Sequence, residues 1–219
     1  MTTQSFTRDL AAEHNRDLRQ QAADYRMRTA AASDGRHLRA NPLSLRVRPT
    51  RPEDIGLMAA IFDGLSPGSR LARYLIPKRK LTTAELRYFT DVDHHDHEAL
   101  IAVTRVRGEA VGVARYVRSP EDRTSADVAV EVVDDWQGRG VGSMLVARLA
   151  LRARCEGITA FTPLMSADNR RSLRLMTKTG RVTDAVRDGA TVTYRVELPV
   201  TSIPAQRRPA PRARTGYAS

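Results

Sequence analysis

The most constraining feature of the chain is a change of period across Gln137-Gly138-Arg139-Gly140-Val141-Gly142. Before it, Ala126–Val133 alternates as a strand does; after it, Val141, Met144, Leu145, Val146 and Leu149 recur at helical spacing until about Gly157. A strand, a glycine turn and a helix start in this order bring backbone N–H groups together with no side chains in the way. The helix start adds a partial positive charge. Such a junction is a cradle for a diphosphate. A Walker loop is excluded because no Gly-Lys-Ser/Thr follows. The Rossmann fingerprint is excluded because the glycines fall as G-x-G-x-G, not G-x-G-x-x-G. The competing reading is a glycine turn that only lets strand and helix pack closely.

The flanking sequence predicts the rest of one α/β domain over residues 43–199. Leu43–Pro49 reads as a strand. Thr50-Arg51-Pro52-Glu53 has capping-box spacing ahead of a helix through Ile55, Met58, Ala59 and Phe62. A second helix is expected at Ser66–Leu75 and a third after Thr82, again with a cap pair, Thr82 and Glu85. Ala99–Val106 and Ala110–Val117 form a hairpin around Arg107-Gly108-Glu109, followed by the Ala126–Val133 strand. Past the long helix, Ile158–Pro163 is strand-like, and Asp168–Thr179 is a helix with Gly180 as its C-cap. Val182–Val186 and Thr191–Leu198 close the domain as a hairpin through Asp188-Gly189. The hairpins require a mixed, mostly antiparallel sheet flanked by helices.

Outside this domain the composition changes. Residues 1–42 allow one or two Arg-rich helices with a thin apolar stripe, read as a helical extension. Residues 200–219 carry four arginines and no acid, with Pro and Ala throughout, and are read as a disordered basic tail. The net charge of +11 is therefore weighted towards that tail, and the domain itself is only mildly basic, at 25 Lys+Arg against 20 Asp+Glu. Nucleic acid is a weak expectation on this distribution. One cysteine, Cys155, excludes an internal disulfide framework and any multi-cysteine metal site, and is read as a core thiol. No apolar run reaches the ~18 residues of a membrane span, and charges at Arg8, Asp9, Glu13 and Arg16 break any secretory signal. A cytoplasmic protein without a membrane partner is expected, its oligomeric state open. His94, His95 and His97, among Asp91, Asp93 and Asp96, read as a polar turn before a strand and not as a metal site.

On these residues the chain resembles a known family. The segment DVAVEVVDDWQGRGVGSMLVARLALRARCEGI is similar to the acetyl-CoA-binding core of the GNAT superfamily of N-acetyltransferases, and SADNRRSLRLMTKTG to its second motif. LSPGSRLARYL, LTTAELRYFTDVDHHDHEALIAV and GEAVGVARYVR resemble the catalytic domain of bacterial Pat-type protein lysine acetyltransferases. The resemblance implies acetyl-CoA as donor and no metal. It implies a diphosphate held by the loop amides of Gln137, Gly138, Arg139, Gly140, Val141, Gly142 and Ser143. Pantetheine would run near Val132 and Val133, with a contact from Asn169. The acceptor it implies is a protein lysine; a small amine, or a non-catalytic acyl-CoA-binding module, are the alternatives.

An ammonium of pKa ~10.4 must lose a proton before it attacks a thioester, and a carboxylate is the usual acceptor. In the Ala126–Val133 strand, Asp127, Ala129 and Glu131 share one face. The resemblance places the general base at Asp127, with an aspartate where the family has glutamate. The shorter reach leaves a water relay, or a transfer of the role to Glu131, open. Roughly 13 Å of strand separates the two at ~3.3 Å per residue, so they should act apart. The bland alternative pairs each acid with an arginine such as Arg105 or Arg115. The family's usual tyrosine acid is replaced here by Met176, which cannot donate a proton.

Overall fold

The computed structural model describes residues 44–199; the helical reading of 1–42 and the disordered reading of 200–219 lie outside the described residues. Strand β1 (Leu45–Pro49) is followed by a short 3-10 turn (Pro52–Asp54) and helices α1 (Ile55–Asp63), α2 (Pro67–Tyr74) and α3 (Thr83–Thr90). Strands β2 (His97–Thr104), β3 (Ala110–Arg118) and β4 (Ser125–Val132) form an antiparallel meander. The long helix α4 (Val141–Cys155) then leads to β5 (Ala160–Phe161), β6 (Leu164–Ser166), α5 (Arg170–Thr179), β7 (Arg181–Asp188) and β8 (Thr191–Glu197). This is the mixed α/β architecture the sequence implied, with the extra short strand β6.

The eight-stranded sheet runs β1-β2-β3-β4-β5-β8-β6, with β7 on the free side of β8. Every pair is antiparallel except β4 with β5, which holds for only two rungs, Ser125↔Ala160 and Ala126↔Phe161. The last bond of that pair runs from the Thr162 amide to the Ala126 carbonyl at 2.8 Å. Then the chain breaks at Pro163 and re-enters as β6, paired with β8 alone. The sheet therefore splits down its middle beyond Ala126.

Helices cover the two faces differently. On one, Val128, Leu100 and Val111 join α4 residues Leu145, Val146 and Leu149 in a common core. The α4 stripe Val141, Leu145, Val146, Leu149, Ala150 and Ala153 is buried at helical spacing. Gly157, at φ +80°, ends this run in the left-handed region. On the other face, Met58, Ile61 and Phe62 of α1 and Leu86 and Phe89 of α3 pack on Ile101, Val103 and Val113.

One local signal holds and three differ from expectation. Thr82 and Glu85 do form a reciprocal cap, with Glu85 N–H donating to Thr82 Oγ1 at 3.2 Å and Thr82 N–H to Glu85 Oε2 at 2.8 Å. Thr50 and Glu53 do not: Thr50 is buried, and Asp54 takes the role, accepting from the Arg51 N–H at 2.8 Å and from both Arg48 terminal nitrogens. Cys155 is exposed and not a core thiol, because it falls off the buried stripe of α4. Gly180 does cap α5, its N–H donating to the Met176 carbonyl at 3.1 Å, but in an extended conformation at φ −168° and not a left-handed one. Its requirement is space, since a Cβ there would stand 2.2 Å from the Glu197 carbonyl oxygen.

Gly180→Ala is accordingly expected to lower stability by about 1–3 kcal/mol, the usual cost of overpacking. Urea unfolding monitored by circular dichroism checks this; an unchanged midpoint would show that β7 and β8 shift freely.

Candidate active site

The split beside β4 opens into a cleft of about 630 Å³, bounded by β4, the glycine turn, α2 and α5. A strand residue points its N–H and C=O to the same side. Since the Ala126 carbonyl faces β5, the peptide groups of Val128, Val130 and Val132 face the gap. Of these, the Val132 carbonyl is taken by Gln137 Nε2 at 2.9 Å. Val133 turns the other way: its N–H donates to Val111 at 3.0 Å and its carbonyl accepts from Trp136 at 2.8 Å. Val133 therefore offers no free backbone group to the gap, a correction to its expected place beside a pantetheine arm.

The glycine turn lies at one end of the cleft. Gly138 and Gly140 have φ of +74° and +86°, with open space where a Cβ would be. Among the described residues, none of the N–H groups of Gly138, Arg139, Gly140, Val141, Gly142 and Ser143 has a backbone or side-chain acceptor. The first intrahelical bond of α4 begins only at Met144, whose N–H reaches the Gly140 carbonyl at 3.0 Å. No acid lies in the first turn and no side chain caps it. Six donors and a helix start thus converge without a partner, which is what an anionic ligand needs.

Gln137 departs from expectation. Its N–H is committed to the Asp134 carbonyl at 3.1 Å, so it adds no donor to the cradle. Its side chain instead ties the turn together, donating to Val132, Asp134 Oδ1 and Ser69 Oγ and accepting from Arg171. Asp134, unnoticed in the sequence, secures α2 by accepting from Ser69 Oγ at 2.7 Å and the Ser66 N–H at 3.2 Å. Burial alone would push the Asp134 carboxyl up, but these hydrogen bonds outweigh it and hold it below the usual range. Arg139 is exposed, with its guanidinium 5.5 Å from the Trp136 ring centre. Asn169 lines the cleft and caps α5, its Oδ1 accepting from the Ser172 N–H at 3.0 Å. Only its amide NH₂ remains free for a ligand. Met176 is buried at the cleft wall.

The two acids of β4 have different surroundings. Glu131 is buried and pinned: Arg73 Nε donates to its Oε1 at 3.0 Å, and the Tyr74 hydroxyl lies 3.3 and 3.2 Å from its two oxygens. Its partner thus comes from α2, and neither Arg105 nor Arg115 makes an ion pair with it. Asp127 makes no ion pair among the described residues. Its side chain is exposed, but it stands in a recess where surrounding protein displaces bulk water. That loss of hydration raises its pKa, against the pull of Arg73, the Val128 amide and Arg115. Arg73 and Tyr74 were missed because nothing in α2 alone marks them; only the fold sets them over β4.

The histidine-rich segment is a tied turn. Asp93 Oδ1 accepts from the N–H groups of His95, Asp96 and His97 at 2.8, 2.9 and 2.8 Å. Among the described residues no group of three or more His, Cys, Asp or Glu side chains could hold a metal ion, and no helix is long and apolar enough to cross a membrane.

A split sheet, a free amide turn and a helix start in chain order match what known proteins share. Residues 69–180 match the Acetyltransferase (GNAT) family. The chain belongs to the GNAT acetyltransferases. It is 36% identical over 104 residues to Acetyltransferase Pat of Mycolicibacterium smegmatis, covering 48% of this chain and 31% of that protein. It is 32% identical over 139 residues to Acetyltransferase PA5475 of Pseudomonas aeruginosa, covering 63% and 70%. The chain thus spans about a third of the Pat relative's length. The GNAT domain of S. lividans PAT superposes with a TM-score of 0.65 at 28% identity, over 70% of this chain and 90% of that one. The yncA protein of Salmonella typhimurium, solved with its cofactor acetyl-CoA, shares the fold at a TM-score of 0.58 and 22% identity, over 74% and 99%. The chain is therefore an acetyltransferase of GNAT type related to Pat.

Removing Arg73 leaves Glu131 buried without its cation. Arg73→Met is expected to lower stability by about 3–5 kcal/mol, measured by urea unfolding near neutral pH. A loss below about 1 kcal/mol, the range of an exposed pair, would show that the clamp is solvated.

Proposed function

We propose that this GNAT protein transfers acetyl from acetyl-CoA to the side-chain amine of a protein lysine, by direct attack with both substrates bound. The observation that carries the donor is the set of six unpartnered N–H groups from Gly138 to Ser143 beside the open edge of β4. Their donors suit a diphosphate, and the Val130 peptide group with the Val128 carbonyl and the Val132 N–H suits an arm that itself contains amides. The Asn169 NH₂ and Arg139 guanidinium stand where they can add contacts. The acceptor rests on the likeness to Pat.

When bound, acetyl-CoA supplies the acetyl thioester that the amine attacks. The chain's own residues do the rest. The Val132 N–H, aimed into the gap, is placed to donate to a carbonyl oxygen as charge builds there. Asp127 takes the proton from the incoming ammonium, directly or through one water. Its raised pKa makes it a stronger base than an ordinary aspartate. Glu131, already bonded to Arg73 and Tyr74, holds α2 against β4 and does not carry the proton. Met176 cannot protonate the departing thiolate, whose pKa of ~8.5 lets it leave into water.

Asp127→Asn is expected to reduce turnover by ~10²–10⁴ with acetyl-CoA affinity unchanged, measured by thiol release and calorimetry; unchanged turnover would remove Asp127 from the role. Because the base must be ionised, kcat/KM should fall as pH drops through the raised Asp127 pKa, with the acid limb above the ordinary aspartate value of ~3.9. An acid limb at or below that value would contradict the recess. Gly140→Glu, which adds a side chain in a left-handed position and a negative charge at the cradle, should abolish acetyl-CoA binding. Incubation with labelled acetyl-CoA and cell lysate should place label in protein lysines; label only in small amines would overturn the lysine acceptor.

A further inference from the structure

One charged group beside the acids of β4 is left without work by this reading. Arg115 lies on β3 opposite Ala129, and so midway between Asp127 and Glu131 on the same face of the sheet. Its guanidinium rests 3.7 Å from the Phe89 ring centre and 5.9 Å from that of Tyr88. It makes no hydrogen bond and no ion pair among the described residues, and its Nη1 is buried with no partner. Burial and the nearby Arg73 charge bring its pKa down to about 10, although Glu131 pulls the other way. A guanidinium has five N–H donors, and enclosing them unmatched is costly. The neighbouring Arg73 also keeps a buried Nη2 without a partner once its Nε has bonded to Glu131. Two guanidinium groups thus face this region, and the one carboxylate bonded there, Glu131, is already spent on Arg73 and Tyr74. Of the two rings that flank Arg115, Phe89 is buried and Tyr88 is exposed.

We infer that the acceptor carries a carboxylate next to its reactive amine, and that Arg115, assisted by Arg73, receives it. This rests on Asp127 as the base, because diagonal neighbours in a sheet lie ~7–8 Å apart and an arginine side chain spans that interval. An amine held at Asp127 therefore presents a group one residue away, or one carbon away, to Arg115. The carboxylate has two sources: an acidic side chain flanking a lysine in a peptide, or the α-carboxylate of a free amino acid.

The test uses matched substrates that differ by one carboxylate. Lysine peptides flanked by Glu are compared with the same peptides flanked by Gln, and amino acids with their decarboxylated amines, on the wild type, Arg115→Gln and Arg115→Lys. Acetyl-CoA affinity reports that each variant is folded. The wild type should favour the carboxylate member of a pair by about 10- to 100-fold in kcat/KM, through KM, as one charge-assisted contact provides. Arg115→Gln should erase that ratio and Arg115→Lys restore part of it. Equal use of both members by the wild type, or a ratio that survives Arg115→Gln, would overturn the inference; the wild-type ratio decides it even where a variant does not fold. Preference confined to the amino-acid arm would support Arg115 while overturning the protein-lysine acceptor, and preference in the peptide arm would support both.

Discussion

The parting of β4 from β5 after two rungs is the constraint on which the rest depends. Backbone polar groups in a folded interior are nearly always paired, and a central strand with one edge open is an unusual expense. Pro163 ends β5, β6 goes over to β8, and the peptide groups of Val128, Val130 and the Val132 N–H are left without a strand. Past the 3-10 turn at Asp134–Trp136, the six amides from Gly138 to Ser143 are also free. An edge that another strand would have filled, and a helix start that a side chain would have capped, are both kept for a ligand.

Around that opening, polar side chains serve as braces. Gln137 and Asp134 tie the turn to α2, Glu131 ties α2 to β4 through Arg73 and Tyr74, and Asn169 fixes the start of α5. Arg171 of α5, bonded to the Gln137 side-chain carbonyl, links the far wall to the glycine turn. The braces let the walls stay apart without collapsing, although Val132, Leu175 and Met176 line them with apolar surface. The face of β4 away from α4 carries the acids, and there a four-residue step separates a carboxylate that is fully bonded from one that makes no ion pair.

Much of this was legible in the chain. The period change at Gln137 located both β4 and α4, and Thr82 with Glu85 located α3, because these signals are local and backbone geometry alone enforces them. The misread positions depend on contacts distant in sequence. Gly180 caps α5 as its place implies, but its need for space shows only once Glu197 is folded against it. The Gln137 amide looks available until the 3-10 turn at Asp134–Trp136 claims it, and Val133 looks like part of the open edge until β3 is beside it. The two acids were visible, but nothing in their strand distinguishes them; Arg73 and Tyr74 do, from a helix more than fifty residues earlier. Strand β6 was missed because three residues next to a proline carry no period.

Amide hydrogen exchange on the intact chain, with and without acetyl-CoA, tests the central claim most directly. Ligand should slow exchange at Val130, Val132 and from Gly138 to Ser143, the amides that are free in this structure, and leave Val133 and Gln137 as protected as before. Unchanged exchange across Gly138–Ser143, or protection appearing only in distant strands such as β7, would contradict it.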